Sequence, residues 1–311
     1  MSELRSRPLG RSGLLVSVVG LGCNNFGGRV DRDGARAVVQ AALDAGVTLF
    51  DTADVYGGRG GSETILGELL EGRREEVVLA TKFGMAMHDG VERDLRGSRR
   101  YIRRAVEASL RRLRTDYIDL YQYHRPDGAT PLQETLEALS ELVTEGKVRY
   151  IGCSNFAAWQ LADAAWTSRT AGLARFISAQ NEYSLLDRSA EAELVPACLC
   201  HGVGVLPYFP LANGLLSGKY RRGEPAPAGT RLAARPAALE QADFDAIESL
   251  EAFAAAAGRS LLEVAIGGLA AAPAVASVIA GATTPEQVRA NAAAGAWVPD
   301  AGELEALDLL R

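Results

Sequence analysis

Lysine is nearly absent from this chain: of 33 basic residues, three are lysine (Lys82, Lys147 and Lys219) and 30 are arginine. A sequence that supplies positive charge as arginine almost everywhere has kept lysine at the end of the apolar run Val77-Val78-Leu79-Ala80-Thr81-Lys82. Cysteine is also sparse. Cys23, Cys153, Cys198 and Cys200 have neither zinc-site nor CxxC redox spacing, so all four are expected to be reduced and structural. A barrel metallohydrolase needs several histidines and carboxylates at strand ends; of His88, His124 and His201 only His124 ends a strand, and no metal is expected. No apolar stretch reaches the roughly 20 residues of a membrane helix. Met1 to Leu9 carries Glu and Arg where a signal peptide has its apolar segment, so a cytoplasmic protein with no membrane partner is expected. The formal net charge of -6 argues against nucleic acid as a partner. Arg99 to Arg104 and Arg111 to Arg114 lie at helical spacing, as on a solvated helix face.

What the chain does have is a hydrophobic content of 48% against 23% charged residues, ample for a globular core. Short β-branched runs alternate with longer stretches of helical period. The runs Val16 to Gly22, Val47 to Asp51, Val77 to Lys82, Tyr117 to Tyr123, Val148 to Gly152, Phe176 to Gln180, Gly204 to Pro207 and Ala276 to Ala280 read as eight strands. Ser98 precedes a helix from Arg99 to Arg112, and Thr130-Pro131 precedes one from Leu132 to Glu145 that stops at Gly146. Eight doubly buried strands, each followed by a helix, predict an α/β fold: a single (β/α)8 TIM barrel over residues 1–311. The glycine-bearing turn Leu9-Gly10-Arg11-Ser12-Gly13-Leu14 predicts an N-terminal β-hairpin closing the barrel floor. A doubly wound open sheet would need G-x-G-x-x-G after its first strand; the segment Gly20 to Gly27 has the first two glycines, but the next falls too late.

In such barrels chemistry sits at the C-terminal ends of the strands. Asp51, Lys82 and His124 end consecutive strands, and Tyr56 follows the first of them by five residues. Parallel neighbours about 4.8 Å apart would bring the four side chains together. Singly, each has a plain structural reading as a cap, a loop aromatic or a satisfied histidine. Together they suit a carbonyl reductase, because an ammonium beside a phenol eases loss of the phenol's proton. A unit charge about 4 Å away at an effective dielectric of about 20 contributes roughly 4 kcal/mol, or about 3 pKa units, before desolvation takes some back. The phenol is therefore expected to fall from about 10 toward 7.

The segments Phe50-Asp51-Thr52-Ala53-Asp54-Val55-Tyr56-Gly57, Ser62-Glu63, Ala80-Thr81-Lys82, Asp119 to His124, Gly146 to Phe156 and Gln180-Asn181-Glu182-Tyr183 closely resemble the aldo-keto reductase superfamily. The resemblance covers nearly the whole chain and is nearest the bacterial branch related to the β-subunits of voltage-gated potassium channels. It implies the eight-stranded barrel, a small-molecule carbonyl or alcohol substrate, and NADPH bound without a Rossmann motif, with NADH less favoured. It also implies roles: Tyr56 as general acid, Lys82 lowering its pKa, Asp51 pairing with Lys82, and His124 orienting the carbonyl or relaying the proton.

For the cofactor, the resemblance implies that Ser154, Asn155 and Gln180 fix the nicotinamide carboxamide and that Tyr208 stacks on the ring. Phe209 stands where the family commonly has Ser. Gly22 joins this set, and Leu211 to Lys219, with Gly214, Leu216, Gly218 and Lys219, matches the pyrophosphate loop. Gly281, Thr283, Gln287 and Asn291 fall in the segment that holds the adenosine 2′-phosphate and adenine. Read from residues alone, Thr284 is an N-cap, Pro285 the first helical residue and Gln287 the capping-box partner, a helix start suited to anions. Many relatives carry Lys or Arg here; this chain has Gly281 and Thr283, leaving Arg231 and Arg289 as candidate cations. The alternative function is a non-catalytic NADP-sensing regulatory subunit. The substrate pocket is expected from loops that include Phe26, Met85 to Asp94 and the region near Arg125.

Overall fold

The computed structural model describes residues 4–87 and 95–310. His88 and the rest of the expected pocket segment as far as Asp94 lie outside the described residues. The chain opens with an antiparallel hairpin, β1 (Ser6–Pro8) and β2 (Leu15–Ser17), closed by the Leu9 N–H donating to Leu14 O at 2.8 Å. Gly10 has φ +57, and a Cβ there would lie 2.6 Å from Gly202 O, so the turn rests on the loop that enters the next-to-last barrel strand. Leu9 and Val16 are fully buried with Leu49, Ala80, Leu120 and Leu206, and these side chains plug the barrel interior from below. The expected hairpin therefore closes the floor.

Eight parallel strands follow: β3 (Val19–Gly22), β4 (Leu49–Asp51), β5 (Val78–Phe83), β6 (Ile118–Tyr123), β7 (Val148–Ser154), β8 (Phe176–Gln180), β9 (Gly204–Val205) and β10 (Val278–Gly281). Their order, β10-β3-β4-β5-β6-β7-β8-β9, is that of a barrel. A parallel bridge between Val205 and Val275, with Ile279 N–H donating to Pro207 O at 2.9 Å, joins its two edges. The first expected strand is divided. Residues 15–17 belong to the hairpin and Val19–Gly22 to the barrel, because Ser17 turns the chain: its hydroxyl donates to Val19 O at 2.7 Å and accepts the Thr48 N–H at 3.0 Å.

Helices cover the outer face. Ser98 caps Arg99–Leu113 by accepting the Tyr101 N–H, and Leu132–Thr144 ends before Gly146 at φ 76, as the start and stop residues predict. Arg99 and Arg103 lie on the solvated face, where Arg99 pairs with Glu137 and Glu141 and Arg103 with Glu145, but Arg112 turns inward and pairs with the fully buried Glu63 at 2.7 Å. The main core lies between strands and helices. A smaller one, built on Tyr220, Leu232, Phe244 and Trp297, supports the long connection after β9. Among the described residues no single helix is long and apolar enough to cross a membrane, and no cysteine is in a disulfide.

Candidate active site

The parallel register brings the C-terminal ends of β4, β5 and β6 side by side, pairing Asp51 with Ala80 and Lys82 with Gln122. Lys82 is fully buried and donates to Asp51 Oδ2 at 2.6 Å and to Thr52 O at 2.8 Å. The other carboxylate oxygen, Asp51 Oδ1, accepts Gln180 Nε2 at 2.8 Å and Gln122 Nε2 at 3.1 Å. Burial alone would depress the Lys82 pKa, but Asp51 and then Tyr56 outweigh it, and the ammonium is held above its ordinary value. The ammonium lies 5.0 Å from the centre of the Tyr56 ring, which meets the His124 ring edge to face at 5.8 Å.

Tyr56 is held in place by a left-handed turn. Gly57, Gly58, Arg59 and Gly60 all have positive φ, and a Cβ on Gly57 would lie 2.4 Å from Phe26 O. The electrostatics correct one expectation. The Tyr56 pKa is raised above its ordinary value, first by burial; Lys82 opposes this, but Asp51 cancels part of the ammonium's effect. The free site thus holds a protonated phenol. Burial, with help from Lys82 and Arg125, pushes His124 down to about 3, so its ring is neutral at ordinary pH, and its Nδ1 is buried without a partner among the described residues.

A cavity of about 830 Å³ opens over this quartet and takes Asp51, Tyr56 and His124 into its wall. Of the other expected residues, Gly22, Ser154, Asn155, Gln180, Tyr208, Leu211, Gly214, Lys219, Gly281, Thr283, Gln287 and Asn291 line the same cavity. Lys82 stands behind its wall, Leu216 is buried in the smaller core, and Gly218, with φ 76, shapes the loop without facing the cavity. Phe26, expected in the substrate pocket, is fully buried in the main core instead, whereas Met85 and Arg125 line the cavity. Of the two candidate cations, Arg231 lines the cavity and Arg289 does not; Arg289 pairs with Glu286 at 3.6 Å. The helix Pro285–Ala294 starts as expected, with Thr284 capping the Gln287 N–H. Gln287 Oε1, however, accepts from Thr283 N at 2.8 Å in place of the expected capping-box partner.

The amides are more constrained than the sequence suggests. Ser154 Oγ donates to Gln180 O at 2.8 Å, Asn155 Nδ2 to His124 O at 2.9 Å, and the Tyr208 hydroxyl to Asn155 Oδ1 at 2.8 Å. Gln122 went unnoticed in the sequence; its signal is a polar side chain, fully buried, in the run Ile118 to Tyr123. The cavity suits an elongated phosphate-bearing ligand. It has amides and an aromatic ring at one end, the ammonium of Lys219 and the left-handed backbone of Asn213 and Gly214 along it, and a helix N-terminus in its wall. A Cβ on Gly22 would lie 3.2 Å from the Ile279 side chain on the neighbouring strand. Among the described residues no cluster of His, Cys, Asp and Glu could hold a metal ion.

The sequence model of the Aldo/keto reductase family matches residues 18–311. The chain is 41% identical over 290 residues to an uncharacterized oxidoreductase, YrpG, of Bacillus subtilis, covering 90% of this chain and 88% of that one. It is 36% identical to a probable voltage-gated potassium channel subunit beta of Oryza sativa, over 93% of this chain and 90% of that one. The holo form of the aldo-keto reductase AKR11C1 from Bacillus halodurans superposes with a TM-score of 0.83 at 35% identity, covering 99% of this chain and 96% of that one. With an eight-stranded parallel barrel, its floor hairpin and the family's sequence pattern over residues 18–311, this chain belongs to the aldo/keto reductase family of oxidoreductases.

Proposed function

We propose that this protein reduces an aldehyde or ketone to the alcohol, with NADPH as the preferred cofactor and Tyr56 as the general acid, and that it can run in reverse as an alcohol dehydrogenase. The observation that carries this reading is the buried Asp51–Lys82 pair set beneath a phenol and a neutral imidazole that face one cavity. When bound, the dihydronicotinamide supplies a hydride to the carbonyl carbon. Tyr56 gives its proton to the carbonyl oxygen as the C=O π bond becomes the new O–H bond, and solvent later returns a proton to the phenolate. Lys82 stabilises that phenolate, and Asp51 keeps Lys82 charged. His124, neutral, offers a ring N–H to the carbonyl oxygen without adding charge to the site.

Ser154, Asn155 and Gln180 would hold the carboxamide, with the Gln180 carbonyl oxygen left to accept because its amide nitrogen is committed to Asp51. Tyr208 would stack on the ring, and Gly214 and Lys219 would meet the pyrophosphate. Arg231 and the helix start at Thr284 favour a 2′-phosphate, which supports NADPH over NADH. The test is Tyr56→Phe. Carbonyl reduction should fall by 10² or more, while NADPH binding, followed by fluorescence titration, stays close to wild type. A variant that keeps more than about a tenth of the wild-type rate would remove Tyr56 as the acid.

A further inference from the structure

Asp54 stands two residues before Tyr56 and is 1% exposed, yet neither of its side-chain oxygens has a hydrogen-bond partner among the described residues. It does not line the cavity over the quartet and takes no part in the chemistry above. Its backbone is nevertheless fastened to Lys82. The Asp54 N–H donates to Lys82 O at 3.1 Å, while the Lys82 ammonium donates to Thr52 O at 2.8 Å. The segment that leads into Tyr56 is thus tied to Lys82 at Thr52 and again at Asp54.

The groups around the Asp54 side chain come from four elements: Glu63 from the helix Tyr56–Leu69, Lys82 from β5, Arg112 from the helix Arg99–Leu113 and Tyr121 from β6. Glu63 is fully buried and both its oxygens are occupied, accepting Thr81 Oγ1 at 2.6 Å and Arg112 Nε at 2.7 Å. Lys82 is likewise taken up by Asp51. These charges balance as two pairs, so an ionised Asp54 would be a further buried charge without a counter-ion. Tyr121 supplies none; its hydroxyl is also buried with no partner among the described residues. Burial, followed by Glu63, holds the Asp54 carboxyl well above the usual carboxylate range, with Arg112 and Lys82 opposing. Arg112 connects this cluster to the left-handed turn after Tyr56. Gly60 in that turn lies against it, since a Cβ there would be 2.6 Å from Arg112 Cδ. An ionised Asp54 would repel Glu63 and draw Arg112 away from the turn it supports.

We propose that Asp54 is a positioning residue that works as a neutral carboxylic acid: uncharged, it holds the turn carrying Tyr56 in register with Lys82, and loss of its proton releases that turn and stops turnover. This deepens the reductase reading above and rests on it. The experiment compares the wild type, Asp54→Asn and Asp54→Ala by the infrared band of a protonated carboxyl at neutral pH, the urea midpoint against pH, and kcat for p-nitrobenzaldehyde from neutral to alkaline pH. The wild type should show the band and Asp54→Asn should lack it. The folded chain holds this proton more tightly than the unfolded one, so the stability it contributes is fully present below the ordinary 3.8 and is lost as pH rises toward the raised value. The urea midpoint of Asp54→Asn should therefore gain on the wild type as pH rises. Wild-type kcat should fall on the alkaline side, and Asp54→Asn, which keeps the shape of the neutral acid, should lose that fall. Asp54→Ala, which removes the group that fills this space, should lower kcat about tenfold or more at every pH while the NADPH dissociation constant stays in place. A wild type without the band overturns the neutral acid. The same alkaline fall in wild type and Asp54→Asn overturns the positioning role and leaves Asp54 as packing alone. If the wild type reduces no aldehyde, the reductase reading fails and the positioning role with it; the infrared band, which needs no turnover, tells that failure from the others.

Discussion

Replacing Lys82 with Met tests both halves of the buried ion pair. The ammonium lies 5.0 Å from the Tyr56 ring centre. At an effective dielectric of about 20, a unit charge at that distance contributes about 3 kcal/mol, or roughly 2 pKa units, toward releasing the phenol proton. Burial already holds Tyr56 above its ordinary value, so the variant should raise it further. Alcohol oxidation, in which Tyr56 must first be deprotonated, should move to higher pH by about 2 units. The same change leaves Asp51 buried without its cation, at a cost of about 3–5 kcal/mol in urea melts. Adding Asp51→Asn to Lys82→Met should restore most of that stability, since the lone charge is gone, yet recover little activity. The assays are the pH profile of alcohol oxidation and the urea midpoint of the two single variants and the double variant. An oxidation profile that stays in place in Lys82→Met would break the proposed link between Lys82 and Tyr56.

Three further expectations follow from the geometry. His124 is held at about 3 against an ordinary 6.5, so the unfolded chain takes up the proton first; stability is fully present above pH 6.5 and is lost as pH falls toward 3, by up to about 4 kcal/mol. His124→Asn should flatten that part of the urea-midpoint profile, and an unchanged slope would contradict the shift. Arg231→Met should lower the preference for NADPH over NADH at least about tenfold, with a weaker effect at high salt, as measured by dissociation constants at two ionic strengths; an unchanged preference would remove Arg231 from the 2′-phosphate site. Gly57→Ala places a Cβ 2.4 Å from Phe26 O and 2.6 Å from Ser62 N in left-handed backbone, and should lower stability by about 2 kcal/mol or more and activity with it.

The barrel was legible because its strands are apolar on both faces and end in polar residues that need the same spot. The runs ending at Asp51, Lys82 and Gln180 became strands at those positions or within one residue of them. The division of residues 15–22 was not legible: Val16, Val18 and Val19 read as one run, and only the Ser17 hydroxyl, bonding across to Thr48, shows where the chain leaves the hairpin. The convergence of Asp51, Tyr56 and Lys82 could be read from spacing, but the direction of the Tyr56 shift could not. That sign depends on how completely the ring is buried and on Asp51 standing close enough to offset Lys82, both properties of packing. Gln122 was hidden for a similar reason, since an isolated amide in an apolar strand shows its purpose only when a carboxylate from another strand comes within reach.

Asp51 joins three strand ends through one side chain: Lys82 on one oxygen, Gln122 and Gln180 on the other. Gln180 is also the amide proposed to meet the nicotinamide, so the group that would orient the hydride donor and the group that would charge the proton donor hang from the same carboxylate. Substitutions at Gln180 and Lys82 should therefore not add: a change made to alter cofactor grip would shift the pH dependence of turnover, and attempts to retune one function of this site independently will meet the other.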